Sequence, residues 1–192
     1  MAVYGIKLGL ICLVASGLLA TVNAITAPKI NLQAEKELED SLKEVLPQGE
    51  KFEPVQKEKE IIYYKVYDKE GKLLGAAFKA SSKGYSSVIE TIVGMTKDGT
   101  INAIKVLSQS ETPGLGARIT EIKEEKTIFE FMNGKKSSGI RKPWFQEQFS
   151  NRKISDLDNV QAITGATISS KAVIDSVKAK AKEIEGLLNA EG

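Results

Sequence analysis

The sequence contains no histidine. That removes the commonest general base, the commonest zinc ligand and any His-ligated haem. Its single cysteine, Cys12, excludes an intrachain disulfide and a Cys-ligated iron–sulfur cluster. Charge of one sign is also lacking: 27 Lys and Arg stand against 25 Asp and Glu, a net +2. Such a balance offers no field to a polyanion, so no nucleic-acid partner is expected. No metal site and no catalytic residue of the chain's own are expected.

One long apolar run is present. Leu8 to Ala27 is twenty residues without a charge, preceded by Lys7 and followed by Pro28 and Lys29. A helix of ~20 apolar residues spans a bilayer core. The competing reading is a cleaved signal peptide, with Leu8–Ala20 as its apolar region and Val22-Asn23-Ala24 before the cut. Either reading sends the rest of the chain across the membrane. A retained, single-pass anchor over residues 1–30 is expected. The soluble part is placed on the extracytoplasmic side of the cell membrane, because a very short tail precedes the anchor and a long domain follows. Lys7, Lys29 and Lys36 do not settle orientation by charge. Cys12 reads as one more apolar side chain of the anchor.

Residues 31–60 read as a helix and a connector. Asn31 or Gln33 opens the helix; Leu38, Leu42, Val45 and Leu46 share a face, and Pro47 stops it. Gly49–Glu60 is polar and charged, as a connector would be. Residues 61–192 then read as one domain. Ile61–Tyr67 and Leu73–Ala80 flank Asp68-Lys69-Glu70-Gly71; Ser87–Met95 and Ile101–Leu107 flank Lys97-Asp98-Gly99-Thr100. β-Branched and aromatic runs around glycine-containing turns predict two hairpins. Ser110–Gly116 is a Gly/Pro loop, Ile119–Phe131 is read as one or two short helices, and Asn133–Arg141 as a loop. In Ser169–Asn189 the residues Val173, Val177, Ala181, Ile184 and Leu188 recur at helical spacing. The expected class is α+β: a transmembrane helix, an antiparallel sheet and a C-terminal helix.

The segment Thr164-Gly165-Ala166-Thr167-Ile168-Ser169-Ser170 stands directly before that last helix. Small residues feeding a helix N-terminus make a phosphate site, because free N–H groups point outward and the dipole favours negative charge. The plainer reading is an N-cap, with Ser169 or Ser170 as the capping residue. On physical grounds alone the plainer reading is the commoner one. If the chain does redox chemistry, its cofactor must need neither histidine nor cysteine, and flavin meets that condition.

The TGATISS run resembles the flavinylation motif of the FMN-binding domain found in the G subunit of Rnf complexes and in the C subunit of Na⁺-translocating NADH:quinone oxidoreductases. Ser110-Glu111-Thr112-Pro113-Gly114-Leu115-Gly116 looks like that family's E-T-P-G-L-G loop. Gly84-Tyr85-Ser86, Val93-Gly94 and Trp144-Phe145 with Phe149 resemble further family segments. The anchor matches as well, so the resemblance covers nearly the whole chain. Gln161 stands where the family often has an acidic residue.

The resemblance implies FMN held by a phosphoester on Thr167, with Thr164, Gly165, Ala166 and Ser169 around it. It implies that Thr112, Leu115 and Gly116 contact the flavin, with Tyr85 and Trp144 as further candidates. Glu111 either bonds the loop backbone or the ribityl chain, or is a solvated loop charge. A threonine hydroxyl needs activation to attack phosphorus, and the family uses a Mg²⁺-dependent flavin transferase that takes the FMN part of FAD. The expected role is an electron relay inside an ion-translocating ferredoxin:NAD oxidoreductase of the Rnf type. The expected neighbours are the D subunit of that complex and its membrane-embedded A and E subunits. The C subunit of the quinone reductase is the alternative within the family. A non-redox, membrane-tethered domain is the alternative outside it.

Overall fold

The computed structural model describes residues 2–57, 60–122 and 143–190. The chain divides into two compact units, Met1–Asp40 and Ser41–Gly192. The first is helical. Helix α1 runs unbroken over Ala2–Val45 and ends inside the second unit. Its apolar window is long enough to cross a membrane and none of it is buried.

The sequence predicts two helical segments parted near Pro28; a single helix passes through that proline. Proline removes one backbone hydrogen bond and crowds the preceding turn, at ~3 kcal/mol in a helix interior. Stopping and restarting would require a second, unfavourable nucleation. Continuing the helix avoids that second nucleation.

The second unit is built on a six-stranded antiparallel sheet whose spatial order follows the sequence, β1 to β6. The strands are β1 Lys51–Lys57, β2 Glu60–Tyr67, β3 Leu73–Lys83, β4 Val88–Thr96, β5 Thr100–Ser108 and β6 Arg152–Lys153. The hairpins β2–β3 and β4–β5 fall where the turn residues predict them. In both, the glycine takes a left-handed conformation, φ +79° at Gly71 and +76° at Gly99. The segment read as a connector forms β1, paired with β2 and bulged at Val55/Gln56. Pro54 and the interspersed charges hide its alternation. An edge strand tolerates both, since only one side of it carries a ladder.

The C-terminal helix α3, Thr167–Ala190, lies across β3 and β4. The periodic residues Val173, Val177, Ala181, Ile184 and Leu188 are all buried, and they share one core with Phe78, Ile89, Val93 and Ile104 of the sheet. The opposite sheet face receives the end of α1. Val45 packs so close to Gly94 that a Cβ there would stand 2.5 Å from the Val45 carbonyl oxygen. Asn102 Nδ2 donates to that same carbonyl at 2.6 Å, and Lys105 pairs with Glu44 at 2.8 Å.

Three short elements have no clear signal in the sequence: the 3₁₀ turn Ile154–Asn159, the strand β6 and the single-turn helix α2, Trp144–Glu147. A further 3₁₀ turn, Gly116–Thr120, covers the start of the segment expected to hold short helices. The part of that segment after Ile122, and the loop expected over Asn133–Arg141, lie outside the described residues.

Candidate functional site

Two tight turns face each other at one end of the sheet. In Thr112-Pro113-Gly114-Leu115 the Leu115 N–H donates to the Thr112 carbonyl at 3.1 Å. In Ile163-Thr164-Gly165-Ala166 the Ala166 N–H donates to the Ile163 carbonyl at 2.9 Å. The third residue of each is a glycine with positive φ, +75° at Gly114 and +82° at Gly165. That is the type II requirement, and Pro113 presets the first corner. The turns touch: a Cβ on Gly165 would lie 3.5 Å from Leu115 Cδ2.

Helix α3 starts straight after the second turn, at Thr167. It opens two residues earlier than expected, so neither Ser169 nor Ser170 caps it. Ser170 Oγ instead accepts the Ile163 N–H at 3.0 Å, which ties the incoming segment to the helix. The Ser170 N–H bonds back to the Ala166 carbonyl at 3.0 Å. The N–H groups of Thr167, Ile168 and Ser169 precede that bond and are the donors a helix terminus leaves over.

Between the turns lies a cavity of about 370 Å³. Thr112, Leu115 and Gly116 form one wall; Gly165, Ala166, Thr167, Ile168 and Ser169 form the other; Tyr85 and Glu111 complete the lining. Thr167 is exposed at this cavity. Tyr85, Leu115 and Ile168 bring large, solvent-exposed apolar surface to it. Ile168 has no signal in the sequence beyond its place next to Thr167.

Glu111 is buried, only 5% exposed, and among the described residues every polar contact of its carboxylate is with a donor. Oε1 accepts from the Ser86 and Ser87 N–H groups at 3.0 and 2.9 Å and from Ser87 Oγ at 3.2 Å. Oε2 accepts from the Tyr85 N–H at 3.1 Å and from Ser169 Oγ at 2.6 Å. Burial pushes the carboxyl pKa up, but the Ser169 hydroxyl and the backbone N–H groups of Ser87, Ser86 and Tyr85 outweigh it and hold the pKa at about 2. Glu111 is therefore not a solvated loop charge, and the backbone it bonds is that of Tyr85–Ser87 rather than of its own loop.

Thr164 is exposed on the second turn and does not line the cavity. Trp144 does not line it either. Its ring packs edge-on to Phe145, centroids 6.4 Å apart, against the hydrophobic core. Phe145 and Phe149 are fully buried and meet edge-to-face at 5.6 Å. Gln148 has no sequence signal: its amide accepts the Gln161 N–H at 2.9 Å and donates to the Gln161 carbonyl at 3.2 Å. The segment leading into the Thr164–Thr167 turn is thus held by a side chain imitating a strand partner.

Among the described residues no group of three or more His, Cys, Asp or Glu could hold a metal. Glu111, among the described residues the one carboxylate in the cavity wall, is a weak base with its lone pairs occupied. The site therefore presents an exposed hydroxyl, a helix N-terminus and an apolar rim, and the described residues that line it supply no general base.

This arrangement is that of an FMN-binding domain, and the family model of that description matches residues 84–182. A second model, the RnfG N-terminal region, matches residues 1–45. The G subunit of the ion-translocating oxidoreductase complex of Methanosarcina acetivorans is 32% identical over 178 residues, 85% of this chain and 84% of its own. The G subunit of the proton-translocating ferredoxin:NAD(+) oxidoreductase complex of Clostridium ljungdahlii is 30% identical over 190 residues, 93% and 88% of the two chains. The crystal structure of NqrC from Shewanella oneidensis is similar at 18% identity with a TM-score of 0.48, over 76% of this chain and 74% of that one. The chain belongs to the RnfG family, the G subunits of ion-translocating oxidoreductase complexes.

Proposed function

We propose that this chain is the electron-relay G subunit of an ion-translocating ferredoxin:NAD oxidoreductase, carrying FMN covalently on Thr167. The observation that carries the reading is the placement of Thr167: an exposed hydroxyl in the first turn of α3, at a cavity whose other wall is the Thr112–Gly116 turn. The residues fit the group. The cavity lies in the ~300–1,000 Å³ range of small-molecule sites. The leftover N–H groups of Thr167, Ile168 and Ser169 suit a phosphate. Leu115, Ile168 and Tyr85 offer apolar surface to a flat ring.

When bound, FMN supplies the electron-carrying chemistry; the protein supplies placement and electrostatics. Thr167 Oγ would hold the flavin phosphate as a phosphoester, formed from FAD with loss of AMP. The hydroxyl proton must go to a base. Glu111 is unsuited to that role and the chain has no histidine, so a separate flavin transferase fills it. No substrate other than electrons is turned over by this chain alone. The apolar stretch of α1 is compatible with single-pass anchoring. We place the domain on the extracytoplasmic side, with the D, A and E subunits of the complex as its neighbours.

The test is intact-mass spectrometry of the chain from native membranes, with in-gel flavin fluorescence. The expected result is a gain of one FMN less water, mapped to the peptide containing Thr167. An unmodified mass would sink the reading.

A further inference from the structure

We propose that Glu111 is the positioning residue of the Thr167 cavity, its carboxylate locking the Tyr85–Ser87 loop and the first turn of α3 against the Thr112–Gly116 turn so that an attached flavin is held rigid. The proposal rests on the reading of Thr167 as the attachment point.

The geometry is specific to a carboxylate. Two oxygens meet donors from two separate segments: Oε1 faces the Ser86 and Ser87 amides and the Ser87 hydroxyl, while Oε2 faces the Tyr85 amide and the Ser169 hydroxyl. An ionised carboxylate is acceptor-only, so it satisfies both sides at once; an amide would turn N–H groups toward donors on one of them. Successive backbone N–H groups closing on one anion form a nest, which fixes the conformation of the loop that bears them. Ser87 Oγ extends the network by accepting the Ser110 N–H at 2.8 Å.

The surroundings leave room for this carboxylate and little else. A Cβ on Gly84 would stand 2.6 Å from Glu111 Oε1. A Cβ on Gly116 would stand 2.5 Å from Ser169 Oγ and 2.7 Å from Glu111 Oε2. Thr167, Leu115 and Ile168 are exposed. Beneath these exposed side chains, where Gly116 closely approaches Ser169, the tie through Glu111 to Ser169 joins the two walls by hydrogen bonds. The same carboxylate leaves a fixed negative charge in the wall. Any group in the cavity that gains negative charge on reduction is disfavoured by it.

The test uses the full chain co-expressed with a flavin transferase and purified in detergent. Wild type, Glu111→Gln and Ser169→Ala are compared by intact mass, flavin fluorescence anisotropy and midpoint potential, with a melting curve for each. In Glu111→Gln the expected result is attachment retained, a loss of anisotropy and a shift of the potential to more positive values. Ser169→Ala keeps the charge and loses one donor, so it loses less anisotropy and leaves the potential nearly unshifted. If Glu111→Gln does not fold, the anisotropy of Ser169→Ala decides alone: a loss supports the tie and a wild-type value overturns it. Attached flavin with wild-type anisotropy and potential in Glu111→Gln overturns the proposal. Loss of attachment in that variant also overturns it, since Glu111 would then serve the transfer step. An unmodified wild type overturns the Thr167 reading, and the proposal with it.

Discussion

Ser169 donates a 2.6 Å hydrogen bond to Glu111, a residue 58 positions earlier in the chain. Both are buried, and each comes from a different wall of the same cavity. The contact joins the start of the last helix to the loop after β5, so its protonation state bears on the stability of the whole unit.

Acid should expose that link. The folded Glu111 carboxyl titrates at about 2 against an ordinary 4.5. Between those values the unfolded chain binds the extra proton, so stability is fully present above pH 4.5 and falls as the pH drops toward 2. A displacement of that size is worth at most roughly 3 kcal/mol, and less where water entering the cavity screens the charge. The measurement is the denaturation midpoint against pH for wild type and Glu111→Gln. The variant is expected to be less stable at neutral pH and to lack this part of the acid dependence. Parallel curves for the two proteins would show that Glu111 is not the group responsible.

Thr167→Ala is expected to abolish covalent flavin while changing stability by no more than ~0.5 kcal/mol, the usual range for an exposed site. Thr167→Ser keeps a hydroxyl and is expected to retain part of the modification. In-gel fluorescence and a melting curve check both. Fluorescence persisting in the alanine variant would move the attachment point elsewhere.

Gly116→Val places a side chain where a first carbon already meets Ser169 Oγ and the Glu111 side chain. Overpacking of this kind costs about 1–3 kcal/mol, and it should break the Glu111 network. Gly114→Ala makes the comparison. There a Cβ meets nothing within 4 Å, and the penalty is the left-handed backbone alone, ~1–2 kcal/mol. Amide exchange of Ser86 and Ser87 separates the two: faster in Gly116→Val, unchanged in Gly114→Ala. Equal protection in both variants would argue against crowding at the carboxylate.

Gln148→Ala removes both bonds to the Gln161 main chain. Each is worth on the order of 1 kcal/mol or less, so the melting temperature should move little. The local effect should be larger: hydrogen exchange at Gln161 and Ala162 is expected to accelerate while helix α3 keeps its protection. Unchanged exchange there would mean that the Ser170–Ile163 bond alone holds the segment.

Much of the fold is legible in the sequence because it is local. The hairpin around Asp68–Gly71 carries its turn chemistry in sequence, and Val173 to Leu188 carry the period of a buried helix face. β1 is illegible because Pro54 and its charged neighbours break the alternation, and an edge position forgives both. The passage of α1 through Pro28 depends on a balance between one lost bond and a second nucleation, which a residue pattern does not display. At the site, the Thr167 turn and the Thr112–Gly116 loop are found through resemblance to a family. The role of Glu111 is not, because the donors that surround it lie some 25 residues before and 58 residues after it. Trp144 draws attention as an aromatic and packs against the core instead.

The sheet is a meander in which each strand pairs with the next, yet the cavity draws one wall from Thr112–Gly116 and the other from the helix that begins at Thr167. A nascent chain can therefore build most of its strands early, from near neighbours, while Thr167 is still unmade. The pocket comes into being only when α3 has been synthesised and has docked. On the reading of Thr167 as the attachment point, a copy whose α3 has not docked would present a threonine without the facing Thr112–Gly116 wall, and loading would then report on the docking of that helix.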